Sequence, residues 1–120
     1  MKCFIRIITS VALCLLITAC GQQKDAEQLV ERFIEQYAVA PEKIGNVVFQ
    51  NIDSTKLIPD SLIGAMQQRP NSIFKEGIDY PVKSGGRMLY FIRMNFTYEG
   101  DTLRQTFYMD EALEHIVAFK

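Results

Sequence analysis

The sequence predicts an α+β domain: two helices packed on an antiparallel sheet that ends in a three-stranded meander. Three observations carry this. Apolar residues recur at helical spacing just after residue 25. A second, shorter stripe of the same kind follows Pro59. From Arg87 onward the chain alternates with period two, turns at a glycine and alternates again. At 120 residues there is room for one such domain.

The first nineteen residues stand apart. Lys2 and Arg6 supply positive charge, and Ile7 to Ile17 is then apolar except for Thr9 and Ser10. Charge followed by a greasy run is the order of a secretory signal. The uncharged stretch ends at Ala19, well short of the roughly 20 residues that a membrane-crossing helix needs. Its last residues, Ile17-Thr18-Ala19-Cys20, resemble the lipobox of bacterial lipoproteins: an aliphatic residue, two small ones, then the lipid-accepting cysteine. The resemblance implies a diacylglyceryl thioether on Cys20, cleavage before it, and a further acyl chain such as palmitate on the new amino group. Several acyl chains hold a protein durably where one does so only marginally. The stretch Gln23-Lys24-Asp25-Ala26-Glu27 is similar to the export tag of Bacteroidota lipoproteins, and no Asp follows Cys20 to retain the protein at the inner membrane. The expected location is therefore the bacterial outer membrane, at the cell surface or the periplasmic face. Residues 1–19 are read as the cleaved signal peptide, 20–25 as the lipidated cysteine with a short tether, and 26–120 as the domain.

Without residues 1–19, 11 basic and 14 acidic residues remain, a formal charge of −3. No basic face for nucleic acid is visible, and no polybasic run follows the anchor to grip anionic lipid. Cys3 and Cys14 lie in the segment expected to be removed, so the domain would hold itself together without a disulfide.

Asp25 to Gln28 fits a capping box that starts the first helix. Leu29, Val30, Phe33, Ile34 and Tyr37 form its apolar stripe, with Glu27, Glu31, Arg32 and Glu35 mainly on the other side. Pro41 should end it. Asn46 to Ile52 reads as a short strand. A second helix is expected to begin at Pro59, to bury Leu62, Ile63 and Met66, and to stop at Arg69-Pro70. Residues 71–86 read as a loop with a short extended piece near Ile78–Val82.

In Arg87–Tyr98 one face carries Met88, Tyr90, Ile92, Met94, Phe96 and Tyr98; the other carries Arg87, Leu89, Phe91, Arg93, Asn95 and Thr97. With Gly100-Asp101 at the centre of the turn, Met94 would face Phe107, Thr97 would face Arg104 and Arg93 would face Tyr108. A last strand is expected from about Glu114 to Phe119, after a turn at Asp110-Glu111-Ala112. Both helices should cover one sheet face. In element order this resembles cystatin-like and nuclear-transport-factor-like rolls, a likeness that implies a fold and no activity.

Chemistry is sparse. His115 is the only histidine, and Asp110 or Glu114 beside it would make an acid–base cluster. A half-exposed packing residue in the last strand is the simpler account. None of Ser54, Ser61, Ser72 and Ser84 sits in a nucleophile elbow. Glu31 and Glu35 read as a solvated helix face. Gly85-Gly86 lacks the lysine of a phosphate loop, and Met66, Met88, Met94 and Met109 read as core gap-fillers. No metal or other cofactor is implied.

The candidate interaction face is the less apolar side of the meander, with Phe91, Arg93, Arg104 and Tyr108; the alternative is that the loop 71–86 folds over it. Sheets covered on one side offer the other to solvent or a partner, and Tyr and Arg often anchor interfaces. The function expected is thus a non-enzymatic, membrane-anchored binding or accessory module for a protein partner or small ligand. A small pocket enzyme using His115, or a structural subunit of an envelope assembly, are the alternatives.

Overall fold

The computed structural model describes residues 21–55, 58–80 and 88–120. The lipobox, Cys20, Ser84 and the Gly85-Gly86 pair lie outside the described residues.

Helix α1 covers residues 21–37, so residues 21–25 are helical, and Asp25 lies within the helix rather than capping it. A tertiary contact overrides the local capping signal. The Gln23 amide donates to the Gln50 carbonyl at 3.0 Å, and its oxygen accepts from the Ile52 N–H at 2.6 Å. The first described turn of α1 is thereby docked on the domain. Ala26, Leu29, Val30, Phe33 and Ile34 are buried as their spacing requires, and Glu31, Arg32 and Glu35 are exposed. Beyond the helix, Ala38 forms a bridge with Phe74, and a 3-10 turn at Pro41–Lys43 leads into the sheet.

Among the described residues the sheet has five antiparallel strands: β1 (Ile44–Phe49), β2 (Asp53–Thr55), β3 (Leu89–Tyr98), β4 (Asp101–Met109) and β5 (Ile116–Phe119). Its order is β1-β3-β4-β5, with β2 pairing the first part of β3. The strand expected at 46–52 runs instead from Ile44 to Phe49, and β2 follows only at Asp53. Between Gly45 and Val48 an extra residue bulges, and Asn46 takes a left-handed φ of 49°. That bulge is the physical reason for the imperfect alternation in this part of the sequence.

The β3–β4 hairpin keeps its two faces but not its expected register. Glu99 and Gly100 are the central residues, with φ values of 52° and 87°, the pair of positive angles that a two-residue hairpin turn with the sheet's twist requires. The turn sits one residue earlier than expected. Every cross-strand pair therefore moves by two: Met94 faces Gln105, Asn95 faces Arg104 and Phe91 faces Tyr108. A shift of two leaves each side chain on its face, whereas a shift of one would have inverted the sheet.

The two helices lie on opposite faces, which corrects the expectation that both cover one. On the first face α1 packs against Ile92, Met94, Phe96, Phe107, Met109, Ile116 and Phe119. On the second, α2 (Asp60–Gln68) places Ile63 and Met66 against Leu89, Val117 and Ala118. Pro59 is the N-cap rather than the first helical residue. Leu62, expected in the core, is 50% exposed. So short a helix meets the sheet along one narrow stripe, and a residue one position from it turns away by roughly 100°. Covered on both sides, β5 has all four of its residues buried.

Candidate functional site

The strand register brings the four residues of the candidate face onto one side of the sheet. Phe91 and Tyr108 are direct cross-strand partners, and their rings stand 6.0 Å apart. Arg93, two residues along β3 and therefore on the same face, lays its guanidinium 5.2 Å from the Phe91 ring centroid. Arg104 sits opposite Asn95, and its Nε donates to Asn95 Oδ1 at 3.1 Å. The expected direct pairs Arg93–Tyr108 and Thr97–Arg104 are not formed. Arg93 faces Thr106, and Thr97 faces Thr102.

Helix α2 covers only part of this face. Tyr108 packs against the α2 cluster and is half-buried, as is Phe91. Arg93, Arg104 and, on the neighbouring β1, Val48 are exposed. Sequence reasoning missed Lys120, whose Nζ lies 6.0 Å from the Tyr108 ring centroid. The face thus offers two aromatic rings, each with a cation at its π surface, and a third cation on Arg104. Against these stands the exposed Asp53, which pairs with Phe91 from β2.

His115 is in the turn before β5, not within the strand. The same turn accounts for Asp110. Its Oδ1 accepts from the N–H groups of Glu114 at 2.8 Å and His115 at 3.2 Å, while Leu113 takes a left-handed φ of 56°. The Asp110 carboxylate therefore shapes the backbone of this turn. Around His115 lies a cleft of about 380 Å³ between the second half of α1 and the segment at Asp79-Tyr80. Arg32, Gln36, Tyr37 and Glu114 also line it. Burial, and to a lesser degree the neighbouring Tyr37, pushes the Tyr80 hydroxyl up to about 12. Among the described residues no hydrogen bond joins the His115 imidazole to a serine or a carboxylate side chain; only its backbone N–H reaches Asp110. Ser54 lies on β2, Ser61 on α2 and Ser72 in the connection after it.

Nothing in the local pattern marked Asp79 and Tyr80, because they belong to an irregular segment whose position is set by its contacts. The bridge from Phe74 to Ala38 and the bond from the Lys75 N–H to the Tyr37 carbonyl at 2.8 Å hold that segment beside α1. Among the described residues no helix is long and apolar enough to cross a membrane. Comparison with protein-family models, with curated proteins and with solved structures finds no match for the chain.

Proposed function

We propose that this is a bacterial lipoprotein held in the outer membrane through acyl chains on Cys20, and that its domain is a non-enzymatic module binding an acidic envelope protein. The observation that carries the binding role is the uncovered part of the second sheet face. There Phe91 and Tyr108 stack with Arg93 and Lys120, and Arg104 extends the positive charge. Half-buried aromatics beside cations supply both apolar area and directional charge, the combination that anchors interfaces. The lipobox and the docking of α1 by Gln23 support the anchored display. With residue 21 already helical, little slack would separate the lipid from the domain.

Two measurements test the two halves of this reading. Metabolic labelling with palmitate should mark the wild-type chain and leave Cys20→Ser unlabelled; equal labelling of both would remove the anchor. Cross-linking in intact cells, with the partner identified by mass spectrometry, should recover one protein in near-equal amount. Arg93→Ala and Tyr108→Ala should each lose it while remaining folded, and undiminished recovery would remove the sheet-face site.

One observation favours a second reading. Arg32, Asp79, Glu114 and His115 converge on a single cleft, which suits a small ligand bearing both charges. Capture that survives Arg93→Ala but not His115→Ala would favour it.

A further inference from the structure

Among the described residues the sheet ends at β5, and the edge of that strand has a defined backbone chemistry. Thr106 and Lys120 exchange both backbone hydrogen bonds, at 2.8 and 2.9 Å. In an antiparallel ladder the residue beside such a pair points its own N–H and C=O the other way. That residue is Phe119, whose partner Phe107 is therefore a non-hydrogen-bonded one. Its N–H and C=O face away from β4 and have no partner among the described residues. The bulge at Val117 turns another carbonyl outward, and a side chain meets it: Gln67 Nε2 donates to Val117 O at 2.8 Å.

This edge opens into a slot of about 390 Å³, within the usual size of ligand sites of roughly 300–1,000 Å³. One wall is the end of α2 with Arg69, on the second face of the sheet. The opposite wall is the segment 74–78 with Tyr80, on the first face. Phe74, Ile78, Tyr80 and Phe119 give the slot its apolar surface. At the rim Arg69 and Lys75 are exposed against the single acid Glu76, and Lys120 stands at the end of the strand. The local excess of positive charge runs against the −1 of the whole chain.

We propose that the outer edge of β5 is a docking slot for an extended peptide segment bearing an acidic residue. Outward-facing backbone donors and acceptors between two walls are what strand addition requires. A segment lying there would bond to Phe119 through its backbone. Its successive side chains would point alternately to the apolar floor and the α2 wall. Arg69 and Lys75 favour a carboxylate at the rim. The slot needs neither the lipid on Cys20 nor Arg93, so it stands or falls apart from the sheet-face site.

The test uses the full chain purified in detergent and a fluorescent, terminally blocked hexapeptide alternating valine and glutamate. Saturable binding is expected, with new exchange protection at the Phe119 amide. An alternating valine–lysine peptide should bind about tenfold more weakly, the scale of one lost charge-assisted contact. Of two peptides N-methylated at alternate residues in opposite phase, one should lose binding. Phe119→Pro removes the edge N–H, which no strand bond uses, but also takes away a buried ring of the core. Because it can loosen β5, the exposed double variant Arg69→Glu with Lys75→Glu is measured beside it. That double variant should weaken the valine–glutamate peptide about tenfold and Arg93→Ala should not change it. Absence of saturable binding, or equal binding by both methylated peptides, would overturn the proposal. So would self-association that protects the Phe119 amide without peptide, since the edge would then belong to a second copy of the chain.

Discussion

The two faces of the sheet are covered by helices that differ in length, and the difference leaves one face closed and part of the other in solvent. On the α1 face, Phe33, Phe74, Phe107 and Phe119 form a closed cluster in which every pair of rings is in contact, at 4.7–6.2 Å. Helix, loop and two strands each contribute one ring, so no element can leave without opening the core. On the other face α2 brings only Ile63 and Met66 as buried residues. Its cover ends near Tyr108, and Arg93 and Arg104 remain in solvent. A sheet closed on one side and half-closed on the other can present a rigid binding surface, because the closed side supplies the rigidity.

Truncating the closed side should have the largest effect. Phe107→Ala empties the centre of the aromatic cluster and should cost about 3–5 kcal/mol in urea unfolding, with all probes falling together. A loss below about 1 kcal/mol would show the cluster is not the keystone described. Ile63→Ala should cost about 2–3 kcal/mol, and amide exchange should show the loosening confined to α2 and β5. Exchange that rises equally under α1 would erase the distinction between the faces.

The closed face has one flaw. Gln105 is 9% exposed on the α1 side, and its Oε1 is buried with no hydrogen-bond partner among the described residues. An orphaned amide oxygen is destabilising, so Gln105→Met should stabilise the domain by about 1 kcal/mol. A lower unfolding midpoint would mean that the amide is doing something the geometry does not reveal. The smallest effect is conditional on pH. Burial holds the Tyr80 proton to about 12 in the folded chain, against 10.0 for the free side chain. The folded state therefore binds more protons than the unfolded one between these values, and stability is fully present below pH 10 and falls as pH rises toward 12. Tyr80→Phe should flatten that fall, as followed by the unfolding midpoint across the window.

Much of this fold was legible in the sequence, and the reasons differ by element. The α1 stripe and the alternation of β3 report burial periodicity directly, and both were placed on the correct faces. Register was less legible. Glu99-Gly100 and Gly100-Asp101 are competing turn centres, and parity keeps the apolar sides together for either, so pattern alone could not choose. The side on which α2 packs was not legible at all, since an amphipathic helix declares which of its own faces is buried but not which face of a sheet receives it. The sign was in β5 instead. Ile116-Val117-Ala118-Phe119 is a continuous apolar run, the pattern of a strand covered on both sides. That Phe91, Arg93, Arg104 and Tyr108 share one face was legible because alternation sorts side chains by face. Lys120 and Tyr80 lie outside the regular elements, and the β5 edge depends on the order of strands in the sheet, so no period exists to read for any of them.

The most direct test of the division between the faces is photo-cross-linking in intact cells from two positions. One carries the reactive side chain at Arg104, on the open part of the second face. The other carries it at Glu31, on the solvated back of α1. A discrete adduct with one protein from position 104, and none from 31, is the predicted result. Adducts of equal yield from both positions, or from 31 alone, would contradict the assignment of recognition to the half-open face.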